Sequence, residues 1–389
     1  HYRMSIAWPR ILPGGAAGPV NEEGVKYYRN LLKTLRSEGI TPYVTLYHWD
    51  MPAVLELQKD GWLNEALVDE FVAYAETCFK HFGDLVQWWF TFNEPHSTVT
   101  GGYIDGRDAP ARSEHPDTEP YIVAHTILLA HAKAVASYRQ KYQKAQQGQI
   151  GIVLDSVWVV PTSKKDEAAA QRTLEFNLGW FADPVVMGDY PVSMRKAVGS
   201  RLPVFTATQK ALLKGSVDFF AVNHYTSTMV VEGAQAHAVG PLRDSNVTWT
   251  KDPSWPITDM GWSVYPEGLR SLLRWIAERY RGLDIYVTEN GLAVYEPTNE
   301  AAVHDVQRIR YFKDYLTAAH EAITKDKVPL KGYFAWAFMD NFEWAFGYSK
   351  TFGLVRVDRK DNLKRIPKAS AHWYAQVMRQ NGLPADSPR

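Results

Sequence analysis

The chain has 389 residues, enough for one large α/β barrel or two ordinary domains, and 46% of them are hydrophobic, as in common globular proteins. Its 43 basic and 43 acidic residues cancel, so no field draws it to nucleic acid or to an anionic membrane. The single cysteine excludes an internal disulfide, and no apolar run reaches the roughly 18 residues that a membrane helix requires.

His1-Tyr2-Arg3-Met4-Ser5-Ile6 reads as a strand already under way, so a further element is expected ahead of it; the strand itself is expected over 4–8, ending at Pro9. Asn21 opens a helix that runs to Gly39 with Val25, Tyr28, Leu32 and Leu35 on one face. The strand expected at 42–47 closes on His48-Trp49-Asp50. A helix from Asn64 to Gly83 carries Leu67, Phe71, Ala75, Cys78 and Phe82 at helical spacing, which makes Cys78 a buried thiol rather than a nucleophile. The run Val86 to Phe90 then feeds into Thr91-Phe92-Asn93-Glu94-Pro95, where proline removes a ladder donor and ends the strand. A loop is expected over 101–116, a helix from Thr118 to about 138, a strand over 150–160, a helix over 168–176 and a long connection over 180–190. The strand at 217–222 ends on Asn223-His224-Tyr225, and 231–262 reads as a long excursion with little periodicity. After a helix at 266–281, the strand at 283–288 ends on Glu289-Asn290-Gly291; glycine is expected to supply that break through its backbone freedom. A helix at 305–324, a strand at 332–338, a long aromatic loop and a helix at 368–379 finish the chain.

Strands that are continuously apolar and alternate with helices imply a parallel sheet covered by helices. Nothing in the composition divides the chain, so one domain over 1–389 is expected. Functional-looking residues end nearly every strand, which favours a (β/α)8 barrel over a doubly wound sheet, because every barrel strand contributes to one mouth. Seven strands in place of eight imply an incomplete barrel without its first strand and helix.

Two glutamates at the ends of buried strands, Glu94 and Glu289, suit glycoside cleavage, which needs one protonated carboxyl to expel the leaving oxygen and one ionised carboxyl to attack the anomeric carbon. Capping or ion pairing explains such positions about as often. His125 and His131 lie six apart on one helix and so on different faces, and the sequence has no HExxH, paired CxxC, Walker loop or G-x-S-x-G elbow. No metal and no organic cofactor is expected.

The wording of the sequence goes further than spacing. Thr91-Phe92-Asn93-Glu94-Pro95 and Tyr286-Val287-Thr288-Glu289-Asn290-Gly291 resemble the two signatures of glycoside hydrolase family 1, the β-glucosidases and their relatives. Ser5 to Ile11, Val44 to Asp50, Phe181-Ala182-Asp183-Pro184 and Asp340-Asn341-Phe342-Glu343-Trp344 resemble further family motifs in the family's order. The resemblance implies a retaining β-glucosidase with Glu94 as general acid/base and Glu289 as nucleophile, about 5–5.5 Å apart. It implies that Arg3 and Tyr225 support the nucleophile in its ionised form. Loss of that negative charge in the glycosyl-enzyme then eases deprotonation of Glu94, which turns to activating water. His48, Trp49, Asn93, Trp336, Glu343 and Trp344 match residues that hold the sugar; Asn223 matches one that supports the carboxyls, and Phe352 a pocket wall. Trp262 suits either the aglycone side or the core.

Relatives that cleave phosphorylated glucosides have serine where this chain has Glu343, so unphosphorylated substrates are implied, small-molecule β-glucosides or cello-oligosaccharides. Glutamate at 94, where plant thioglucosidases have glutamine, implies O-glycosides. Three departures stand out: no counterpart of the family's first-strand glutamine, Ala111 where a glycine usually follows the proline, and His96-Ser97 in place of bulky residues. They keep open a second reading, a truncated and weakly active member that binds carbohydrate or a partner. Compartment and oligomeric state are not legible.

Overall fold

The computed structural model describes residues 1–385. Its strands in chain order are β1 (Tyr2–Ser5), β2 (Pro42–Tyr47), β3 (Trp88–Asn93), β4 (Gln149–Asp155), β5 (Trp158–Pro161), β6 (Phe220–Asn223), β7 (Ser227–Glu232), β8 (Val247–Thr250), β9 (Ile285–Asn290), β10 (Leu330–Ala335), β11 (Val355–Asp358) and β12 (Lys364–Pro367). One sheet has seven strands in the order β1-β2-β3-β4-β6-β9-β10; a smaller sheet has the order β5-β7-β8, and β11 pairs with β12. Main-sheet strands separated by helices follow the (β/α)8 plan, one strand short among the described residues. β1 and β10, which end the order, are half-buried or exposed along their length, whereas β2 and β6 are buried throughout.

The chain packs as two compact units, one of residues 1–156, 171–221 and 232–248, the other of 157–170, 222–231 and the chain from 249 on. In the first, β1 to β4 are parallel neighbours, with Met4, Val44, Trp89 and Ile150 in one cross-strand row. The helices Glu22–Ser37, Leu67–Phe82 and Glu119–Lys141 connect them. The apolar run Pro42 to Tyr47 is buried on both faces, as a strand covered by helices must be. Aromatic rings fill the core: Trp8 stacks on Tyr74 with centroids 5.0 Å apart, and Phe71 on Phe92 at 4.3 Å. Cys78 lies fully buried among them, and burial pushes its thiol up.

Several elements differ from the reading of the sequence. The first strand stops at Ser5, and Pro9 sits in the first turn of a short helix, Trp8–Ile11, where its missing N–H costs nothing. The helix Pro95–Tyr103 extends into the expected loop. The apolar run 150–160 is two strands, because the chain leaves β4 and pairs β5 in parallel with β7; a continuous hydrophobic pattern carries no mark of a change of partner. The expected connection at 180–190 is largely the helix Trp180–Met187, with Pro184 inside it and a π-helical turn, Glu175–Gly179, before it. The excursion after residue 231 contains a short helix, Gly240–Asp244, and β8.

In the second unit β9 and β10 are parallel, with Ile285 opposite Leu330 and Val287 opposite Tyr333. The helices Pro266–Arg279, Val306–Thr324 and Ala369–Gln380 belong to it. Gly291 serves a purpose other than the expected one. It is absent from the positive-φ residues, and a Cβ there would lie 1.8 Å from the Trp336 carbonyl oxygen. Close backbone approach, not an unusual angle, requires the glycine.

Candidate active site

In the first unit the candidate side chains Arg3, His48, Trp49, Asn93 and Glu94 lie on or at the ends of β1, β2 and β3. Asn93 closes β3 and is fully buried. Its Oδ1 accepts a bond from Arg3 Nη2 at 2.5 Å, its Nδ2 faces His48 Nε2 at 3.2 Å, and its backbone carbonyl accepts from Trp49 Nε1 at 3.0 Å. The Arg3 guanidinium also lies over the Phe90 ring, 5.7 Å from its centroid. Burial, and then the Arg3 charge, bring the His48 pKa down to about 3. A neutral His48 leaves Nε2 able to accept the Asn93 amide hydrogen.

Glu94 follows with φ 48° and ψ 62°, and Trp49 has φ 74°. Two non-glycine residues therefore hold left-handed angles at the ends of β2 and β3, each costing roughly 1–2 kcal/mol. Strain of this kind collects at functional sites. Around Glu94 the backbone is fixed from both sides: its N–H donates to Val153 O at 2.9 Å, and its carbonyl accepts from Thr98 N at 3.0 Å. Pro95 at the first helical position begins the helix there. His96 Nδ1 and Ser97 Oγ both reach Asp155 Oδ2, at 3.1 and 3.2 Å, so these two unusual residues fasten the helix's first turn to the end of β4.

In the second unit Glu289 lies near the end of β9, only 4% exposed. The Tyr225 hydroxyl donates to its Oε2 at 2.6 Å, and its backbone carbonyl accepts from His224 N at 3.0 Å. A charged acceptor makes such a phenol bond about twice as strong as a neutral one. Asn223 is buried, and its Oδ1 accepts from Thr288 Oγ1 at 2.7 Å. Beside Tyr225 stands an aromatic wall: Trp262 and Phe352 have ring centroids 5.2 and 5.9 Å from the Tyr225 ring, and Trp336 and Met260 pack on the same cluster. Trp262 thus belongs to this wall. Glu343 and Trp344 are half-buried, with Glu343 N donating to Gly347 O at 2.7 Å and Trp344 at φ 44°.

A set of buried and half-buried tyrosines holds the end of β9. Asn290 Nδ2 donates to His224 O at 2.6 Å and to the Tyr311 hydroxyl at 3.0 Å; Tyr333 donates to Asn290 Oδ1. Tyr311 in turn donates to Tyr225 O at 3.1 Å. Burial holds the Tyr311 and Tyr333 hydroxyls protonated, as donors must be. In the sequence Tyr311 and Tyr315 lie four apart on one helix, a spacing that a core face explains equally well.

His131 and His125 do not converge: one bridges Thr91 and Ser216, the other meets Tyr190. Among the described residues no group of three or more His, Cys, Asp or Glu side chains is arranged to hold a metal ion, and no helix is long and apolar enough to cross a membrane.

The sequence profile of glycosyl hydrolase family 1 matches residues 1–383. β-Glucosidase 6 of Oryza sativa subsp. japonica is 45% identical over 97% of this chain and 77% of its own length. A crystal structure of a rice β-glucosidase superposes with a TM-score of 0.93 at 44% identity, covering 96% of this chain and 83% of that one. A Glu-to-Gln mutant of the rice enzyme, solved in a covalent complex with glucose, superposes at 0.92 with the same identity and coverage. The chain belongs to glycosyl hydrolase family 1.

Proposed function

We propose that the chain is a retaining β-glucosidase that removes terminal, non-reducing β-D-glucosyl residues from small-molecule β-glucosides, with Glu94 and Glu289 as its catalytic pair. The observation that carries the reading is the buried Glu289 carboxylate at the end of β9, held by the Tyr225 hydroxyl at 2.6 Å. A donor on one oxygen of a buried carboxylate fixes its aim as a nucleophile.

In the first step Glu289 attacks the anomeric carbon while Glu94 gives its proton to the departing glycosidic oxygen; one C–O bond forms, the other breaks, and the aglycone leaves as an alcohol. In the second step Glu94, now a carboxylate, takes a proton from water, whose oxygen displaces Glu289 and releases glucose with its β configuration retained. Family membership and the covalent glucose complex of the rice enzyme support this sequence of steps. Asn93, His48, Trp49, Trp336, Glu343, Trp344 and Phe352 serve the sugar; Asn223 supports the carboxyls, and Arg3, which bonds Asn93, supports the nucleophile with Tyr225. Glu343 disfavours a 6-phosphate by like-charge repulsion, so the substrates are unphosphorylated, small-molecule β-glucosides or cello-oligosaccharides. On this reading the whole chain, 1–389, works as one catalytic domain.

The test is hydrolysis of p-nitrophenyl β-D-glucoside by the wild-type chain, Glu289→Gln and Glu94→Gln. Expected are turnover by the wild type, a loss of about 10⁴-fold or more in the first variant, and a glucosylated protein mass in the second. Folded wild-type protein with no turnover and no glucosylation sinks the proposal and favours a carbohydrate-binding role.

A further inference from the structure

Behind the aromatic wall lies a cluster of buried charges that no step above uses. Arg308, Lys368, Glu296, Asp305 and Asp340 are each 7% exposed or less. Arg308 Nη1 reaches Glu296 Oε1 at 2.9 Å and also bonds Asp305. Lys368 Nζ bridges Glu296 Oε2 at 2.6 Å and Asp340 Oδ1 at 3.1 Å. Ser370 gives its N–H and its hydroxyl to the two Asp305 oxygens, at 2.9 and 2.5 Å.

Such a cluster is a poor device for stability alone, because well-packed apolar side chains of the same volume usually do as well or better. What it adds is position, and its remaining bonds show where. Arg308 Nη2 donates to Thr351 O at 2.8 Å, and Asp340 Oδ1 accepts from Gly353 N at 2.9 Å. Those two backbone groups flank Phe352 on either side. A Cβ at Gly353 would fall 2.2 Å from Asp340 N, so the approach leaves room for glycine only. Asp340 also opens the segment that carries Glu343 and Trp344. On the other flank Arg308 Nε donates to Leu292 O at 3.3 Å, in the loop that follows Glu289.

We propose that this buried ion cluster is the positioning device of the sugar site, and that Asp340, through Lys368 and Gly353, is the positioning residue that sets where Phe352, and with it the Glu343–Trp344 segment, meets the glucose ring. Phe352 packs on Tyr225 and Trp262, so its position sets the aromatic wall of the sugar site. The inference rests on the function proposed above.

Asp340→Asn keeps the shape and an oxygen for Gly353 N but removes the charge that faces Lys368. Expected is a rise of about tenfold in KM for p-nitrophenyl β-D-glucoside, with kcat within about threefold of wild type. Affinity for a glucose-shaped iminosugar, measured by calorimetry, should weaken in parallel. A purely structural role would lower the folded fraction and kcat together and leave KM and the iminosugar affinity unchanged; that outcome overturns the proposal. Should Asp340→Asn fail to fold, Lys368→Arg decides. It keeps the charge but not a single nitrogen between two carboxylates, so a raised KM supports the assignment and an unchanged KM overturns it. A wild-type chain that neither hydrolyses the glucoside nor binds the iminosugar overturns the proposed function itself, whereas tight wild-type binding with unaffected variants overturns only the role of Asp340.

Discussion

Ala111 holds φ 63° immediately after Pro110, the position where the sequence departs from the glycine usual in the family. A left-handed angle costs a residue with a Cβ roughly 1–2 kcal/mol, and glycine at the same place gives back about 0.5–1 kcal/mol of unfolded-state freedom. Ala111→Gly should therefore stabilise the chain by about 0.5–1 kcal/mol, read as a higher denaturation midpoint in urea with an unchanged slope. A lower midpoint would mean that the loop gains more from a restricted unfolded state than it loses to strain. Glu94 and Trp49 carry the same kind of strain at strand ends, where the proposed chemistry gives a reason to keep it. The family motifs were legible because they are consecutive residues at strand ends. The strain was not, since nothing in Phe-Asn-Glu-Pro reveals the sign of φ. The tyrosines around Asn290 were hidden for a different reason: their bonds join positions far apart in the chain.

At the scale of elements, the parallel strands and their helices followed from hydrophobic period and from Pro and Gly punctuation, because those signals are local. What periodicity missed was pairing. The run through 150–160 divides at the point where β4 gives way to β5, and β5 finds β7, nearly seventy residues on, through register alone. Gly291 shows the same limit within one element: the sequence suggested a backbone angle, and the structure shows a carbonyl from β10's end lying against the Cα. Gly291→Ala should consequently force β9 and the chain after β10 apart. A destabilisation of about 2–3 kcal/mol is expected, together with a kcat loss, since Trp336 N donates to Asn290 O at 2.8 Å beside Glu289. Thermal unfolding and steady-state kinetics of the variant check both. Unchanged stability would show that the two backbones part freely.

Across the molecule, buried and half-buried histidines tie the fold to pH. His131 bridges Thr91 of β3, the strand that delivers Glu94, to Ser216, and burial brings its pKa down to about 3; His48 is likewise near 3, and His125 near 4, again through burial. Unfolding returns each to the ordinary 6.5. These folded-state values are depressed, so the stability they confer is fully present above pH 6.5 and is lost as pH falls toward 3. Asp50 works in the opposite sense: burial raises it to about 7, so between 3.8 and 7 it holds a proton that the unfolded chain releases. Near pH 5 the unfolded state therefore binds about two more protons than the folded state at these four groups, a slope of roughly 2–3 kcal/mol per pH unit. Urea midpoints taken from pH 7 to pH 4.5 should fall steeply. His131→Asn, which keeps polar contacts at the bridge without a titrating group, should remove about 1.4 kcal/mol per pH unit from that slope, whatever it does to stability at pH 7. An unaltered slope in the variant would mean that His131 titrates in the folded protein as it does in the unfolded one, and the bridge to the Glu94 strand would then bend with acid rather than resist it.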